Sequence, residues 1–207
     1  MRQRYLLIVG VLSVGASLVL GGMGVASGFV AGGGGDIGID RAVQVAQNTA
    51  ASYLGGDLKA DEVIGFSQNY YASMREKDSG IGAFEILIDR ASGSVTREPG
   101  PDMMWNTKYS MRGAVMTGGG MMGGSILNPS RAMTVSAQQA QEIAQRWLDS
   151  NRPGATTKSP DEFYGFYTVD FESSGHLAGM VSVNGYTGQV WYHSWHGTFI
   201  RLKDLGA

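Results

Sequence analysis

The sequence predicts an α+β protein: an N-terminal transmembrane helix, then two small units, each a helix laid on an antiparallel sheet. Three observations predict it. Arg2 and Arg4 open onto a run from Tyr5 to Gly35 that holds no charged residue. One six-residue pattern and one turn pattern recur, in the same order, in two parts of the chain. An amphipathic helical stretch precedes each recurrence.

The apolar run comes first. Its most hydrophobic part, Tyr5 to Ala26, is long enough to span about 33 Å as a helix at about 1.5 Å per residue, against a hydrocarbon core of about 30 Å. The two arginines stay on the cytoplasmic side, so everything after the run is expected outside, on the periplasmic or extracellular face. Gly24-Val25-Ala26 offers small residues for cleavage, which leaves secretion after signal removal as the alternative. The run exceeds a signal core of about 7–15 residues, and that favours a signal anchor retained over residues 1–31. Gly32 to Gly35 then forms a flexible tether.

The first unit is expected over 32–98 and the second over 134–207. Asp61-Glu62-Val63-Ile64-Gly65-Phe66 recurs as Asp161-Glu162-Phe163-Tyr164-Gly165-Phe166. Further on, Asp89-Arg90-Ala91-Ser92-Gly93-Ser94-Val95 matches Asn184-Gly185-Tyr186-Thr187-Gly188-Gln189-Val190. Such internal repetition is the mark of a duplicated structural unit. In the first unit Asp40 is the expected helix cap, and Val43, Ala46, Ala50, Tyr53 and Leu54 form the apolar stripe, ended by Gly55-Gly56. In the second, Ser136 and Gln139 have the spacing of a capping box. Ala140, Ile143, Ala144, Trp147 and Leu148 carry the stripe, and Asn151 to Gly154 stops it.

Strands follow each helix, about three per unit. Phe84, Ile86 and Ile88 alternate with Glu85, Leu87 and Asp89 at the period of a half-buried strand, and Val181 and Val183 hold the matching places. Lys77-Asp78-Ser79-Gly80 and Ser173-Ser174-Gly175-His176 read as hairpin turns, which leaves His176 exposed. In the shared turn the Asp or Asn binds its own backbone, while the glycine supplies a positive φ. The repeated acid pairs Asp61-Glu62 and Asp161-Glu162 suggest the start of an element rather than acid–base catalysis.

A helix followed by strands and a hairpin reading Asn184-Gly185-Tyr186-Thr187-Gly188-Gln189-Val190-Trp191 resembles the PepSY domain. The first unit resembles a more diverged copy. The resemblance covers about Asp36 to Pro99 and Met133 to Ile200, and it implies a non-catalytic module outside the cytoplasmic membrane, of the kind found in protease propeptides and membrane-associated accessory proteins. It supplies no catalytic residues, and no protease domain follows.

Between the units, residues 99–133 form a Met/Gly-rich insert. The stretch from Glu98 to Met133 holds seven of the chain's eleven methionines. A connection this long is usually functional or disordered, and its exposed apolar side chains call for a cover. Methionine suits an adaptable docking surface, which with Trp105 and Tyr109 makes a protein partner the first expectation. Packing of the insert back on its own units is the second. The third is Cu(I), a soft cation that favours thioethers, held by Met103, Met104, Met111, Met116, Met121 and Met122. No other cofactor is expected.

His193-Ser194-Trp195-His196 is the most suggestive local motif. If it continues a strand, His193 and His196 point to opposite faces and do not chelate together unless the chain bends near Gly197. Trp191, His193, Trp195 and His196 are therefore expected as interfacial or packed aromatics. Two Gly-x-Gly-x-x-Gly matches, at Gly33 and at Gly118, lack the strand–helix setting that dinucleotide binding needs. No zinc-protease or nucleophile-elbow motif occurs. A formal charge of −2 with scattered basic residues excludes nucleic acid, and the absence of cysteine excludes disulfides and thiolate sites. The expectation is a non-catalytic, membrane-anchored interaction or accessory protein, such as a subunit of a membrane complex, with Cu(I) binding or delivery as the alternative.

Overall fold

Helix α1 spans Ile39–Ser52 and buries Ile39, Ala42, Ala46 and Ala50, a small-residue stripe that lets the helix lie close on its sheet. Asp40 does not cap it. The helix starts behind Gly38, whose φ of 76° turns the chain in, and Asp40 sits exposed in the first turn, where its charge still complements the helix dipole. Asp36 instead accepts from the Gly38 amide at 3.1 Å. The computed structural model describes residues 35–110 and 132–206. The anchor expected over 1–31 lies outside them; among the described residues no helix is long and apolar enough to cross a membrane.

The strands are β1 (Leu58–Phe66), β2 (Asn69–Glu76), β3 (Gly82–Asp89) and β4 (Val95–Arg97), followed by a short helix α2 (Pro101–Met104). After the undescribed stretch come α3 (Ala137–Asn151), β5 (Thr156–Thr157), β6 (Asp161–Phe163), β7 (Phe166–Ser173), β8 (His176–Asn184), β9 (Val190–Tyr192) and β10 (Phe199–Asp204). The capping box on α3 is present, with Ser136 and Gln139 satisfying each other's free amides. Its stripe buries Ala140, Ala144 and Leu148, and Ile143 and Trp147 pack beside them. The shared turn is the same device in both halves. Asp89 Oδ1 accepts from the amides of Ala91 and Ser92, and Asn184 Oδ1 from those of Tyr186 and Thr187. Gly93 and Gly188 take φ of 73° and 71°. The result is a mixed α+β fold.

The strands join in one hydrogen-bonded path, β10-β1-β2-β3-β6-β7-β8-β9, with β4 on β3 and β5 on β7. Strands β3 and β6 join the halves by a single parallel pairing, Gly82 with Phe163. Alternation gives each half two faces. Tyr70, Ala72, Met74, Phe84, Ile86 and Ile88 face α1, and Tyr167, Val169, Phe171, Val181 and Val183 face α3. The opposite faces meet each other: Ile64, Phe66 and Tyr71 of the first half cluster with Met180 of the second. Thus the helices lie outside and the two half-sheets pack face to face between them.

Two further links fasten the halves. The C-terminal strand β10, which follows the second recurrence, returns to pair with β1. Asp61 and Asp161, equivalent in the two recurrences, are both held by Arg75, through Nε at 2.9 Å and Nη2 at 3.0 Å. The acid pairs are not both element starts, however: Asp161 opens β6, whereas Asp61 lies within β1.

Candidate functional site

Polar side chains lie buried where the half-sheets face each other. On β3, Glu85 is fully buried and its Oε1 accepts from Tyr71 Oη and Thr168 Oγ1, each at 2.7 Å. Thr168 Oγ1 lies 3.3 Å from Ser182 Oγ, and Ser182 Oγ lies 2.9 Å from His193 Nε2. The other ring nitrogen of His193, Nδ1, is 3.2 Å from Glu98 Oε1, and His196 Nε2 is 2.9 Å from the same oxygen. Trp195 Nε1 donates to that oxygen at 2.9 Å. Asn69 completes the line, its Oδ1 3.0 Å from His196 Nδ1 and its Nδ2 donating to the Trp195 carbonyl at 2.8 Å.

This arrangement corrects the expectation of opposed histidines. Strand β9 ends at Tyr192, and residues 193–196 form a turn instead of continuing it. Both imidazoles therefore converge on Glu98. They are interior groups, with only 2% and 1% of their surface exposed. Phe66 stacks on His196 at 4.4 Å between centroids, and Trp195 stacks on His193 at 4.9 Å. Burial pushes the Glu98 carboxyl up, and it is pulled down only to the extent that His193 and His196 carry protons towards it. Burial lowers His196, with Glu98 opposing. Burial raises Glu85 well above the carboxylate range, and the charges of Glu98 and Asp102 add to it. Glu98, His193 and His196 each offer one ligand atom, all within 4.8 Å of one another.

The chain after Glu98 is fixed from inside. Asp102 is fully buried; it accepts from Arg97 Nε at 2.7 Å, from the Glu85 amide at 3.2 Å and from Asn106 Nδ2 at 3.3 Å. Burial pushes its carboxyl up to about 7, against the pull of Arg97. With Asp102 turned inward, the next residues on α2 turn outward: Met103 and Met104 are 39% and 60% exposed. Trp105 meets Trp191 edge to face at 6.0 Å, both half-buried. Tyr109 packs on Phe84 and donates to Glu76 at 2.5 Å. The described beginning of the insert thus packs on its own two halves. Of the proposed copper ligands, only Met103 and Met104 fall within the described residues; Met111, Met116, Met121 and Met122 lie outside them.

The sequence held one unused signal for the buried site. Glu85 is a lone acid between Phe84 and Ile86 in a strand, and Thr168 and Ser182 alternate in step with the buried Phe166 and Met180. Small polar groups with apolar neighbours mark a second buried face rather than a solvated one.

These features define a mixed α+β protein with a closed polar cluster between its half-sheets. No family model matches the chain, and no curated protein matches it. It is similar to a solved structure, the Bacillus megaterium YpeB C-terminal domain, at 13% identity over 76% of this chain and 62% of that one, with a TM-score of 0.26. The chain therefore spans under two thirds of that structure's length, and a likeness this loose carries no argument about function.

Proposed function

We propose that the chain is a non-catalytic interaction module of two PepSY-like units, held at the outer face of a membrane by its N-terminal apolar run and serving as an accessory subunit of a membrane complex. The observation that carries this reading is the presentation of Met103 and Met104. Both are exposed on a helix held by a fully buried Asp102, next to the Trp105–Trp191 pair. Pre-organised apolar side chains lose less entropy on docking, and thioethers and indoles adapt well to a partner surface. The closed state of Glu98, His193 and His196 also supports a role in binding over turnover, because a substrate has no route to groups this buried.

The test is quantitative co-purification of the tagged full chain in mild detergent, comparing the native sequence with M103E/M104E. A stoichiometric membrane partner that is lost from the variant, with circular dichroism unchanged, is the expected result. Recovery of the protein alone, or of the same partner at the same yield from both, contradicts the reading.

A further inference from the structure

We propose that Glu98, His193 and His196 form a closed structural site for a first-row divalent cation, Zn²⁺ in the first instance, which clamps the two half-sheets together. The argument rests on where the protons sit. Asn69 Nδ2 donates to the Trp195 carbonyl, so Asn69 presents Oδ1 to His196. Nδ1 of His196 must then carry the hydrogen, and Nε2 faces Glu98 with its lone pair. Thr168 gives its proton to Glu85, so it accepts from Ser182, and Ser182 in turn accepts from His193 Nε2–H. Nδ1 of His193 therefore also faces Glu98 with a lone pair.

Two lone pairs and a carboxylate converge in a space closed to water. His193 Nδ1, His196 Nε2 and Glu98 Oε2 are all buried and have no aligned hydrogen-bond partner. Such orphaned groups cost free energy unless something satisfies them. One divalent cation satisfies all three atoms. Two imidazoles and a carboxylate bound through both its oxygens give Zn²⁺ four donor atoms, with metal–ligand distances near 2.0–2.2 Å and imidazole and carboxylate atoms roughly 3.3 Å apart. The 2.9 Å and 3.2 Å separations of the two imidazole nitrogens from Oε1, the other oxygen of the same carboxylate, lie close to that. Each imidazole is already oriented through its other nitrogen, by Ser182 and Asn69, as metal-bound histidines are. Because the site is shut, the cation would enter as the chain folds. This inference does not depend on the docking surface.

Full-length protein is unfolded in chelator, freed of it, and refolded in detergent with increasing Zn²⁺ against a chromophoric competitor, and separately with Co²⁺ while its visible d–d absorption is followed. One equivalent is expected, with a Co²⁺ band of low-coordinate geometry and a rise in melting temperature on Zn²⁺ addition. H196Q and E98Q should each weaken binding about 100-fold or more. S182A, which leaves every ligand in place, should weaken it about 10–100-fold and shift the Co²⁺ band. H176Q, at an exposed hairpin, should change nothing. Neither ion favours thioethers, so the insert methionines do not contribute to this readout. Absence of stoichiometric binding to the native chain overturns the proposal. So does binding that survives unchanged in the H193Q/H196Q pair.

Discussion

Nε2 of His196 lies 2.9 Å from Oε1 of Glu98, joining the last turn of the second half to the strand end of the first. The contact bears on the surface as well as the core. Glu98 also donates its amide to the Glu85 carbonyl at 3.0 Å, so the chain leaves β4 along a fixed path. That path delivers Asp102 to Arg97 and turns Met103 and Met104 out. Glu98, a member of the interior polar cluster, and the exposed methionines belong to one segment.

Thr168 is the hinge of the polar chain, bonded to Glu85 and 3.3 Å from Ser182. Replacement by valine keeps the shape and removes both partnerships, and should cost about 1–3 kcal/mol because neither neighbour can turn to water. Thr168→Ser keeps the hydroxyl and should cost about 1 kcal/mol, the loss of one buried methyl. Urea unfolding at fixed pH measures both.

Glu76 gives the fold an acid-sensitive tie. Burial raises its carboxyl, but hydrogen bonds from Lys108, Ser79, Tyr109 and Tyr164 outweigh that and bring it from 4.5 down to about 2. A depressed folded pKa contributes stability that is present above the unfolded value and is lost as pH falls from about 4.5 towards 2. The shift sets an upper limit of about 3 kcal/mol, reduced by solvent screening because Lys108 is 40% exposed. Glu76→Gln should flatten the stability profile across that window and lower stability at neutral pH.

Gly82 sits at the parallel junction of the halves, where an added Cβ would meet the Phe163 ring at 2.5 Å. Phe163 is itself stacked on Phe166 at 4.9 Å. Gly82→Ala should therefore cost about 1–3 kcal/mol by overpacking, and Phe163→Leu should recover part of it. A double-mutant cycle detects that coupling.

Gly165, by contrast, is constrained by the backbone. Its φ is +98°, and an added Cβ would collide with the Trp105 carbonyl oxygen. No rotamer change relieves that contact. Gly165→Ala should cost about 2 kcal/mol or more and should displace Trp105, read as a change in tryptophan fluorescence before unfolding.

The local devices were legible because they depend on neighbours in sequence. The Ser136–Gln139 capping box, the Asp89 and Asn184 turns and the alternating Phe84, Ile86 and Ile88 all follow from short-range spacing. The start of α1 was misplaced because Gly38, rather than a side-chain cap, initiates it. What spacing does not encode is which face of a sheet meets which. The convergence of His193 and His196 required the strand to end at Tyr192, and the burial of Glu85 required the other half-sheet above it. Both are consequences of long-range packing, and the return of β10 to β1 is another.

The most direct measurement of the proposed docking surface is photo-crosslinking in intact membranes. A photoreactive side chain at position 104, on the exposed face of α2, is compared with one in place of Asn48, on the exposed face of α1. The account predicts one discrete adduct of constant mass from position 104 and none from 48. No adduct from position 104, or the same unselective products from both positions, would contradict it.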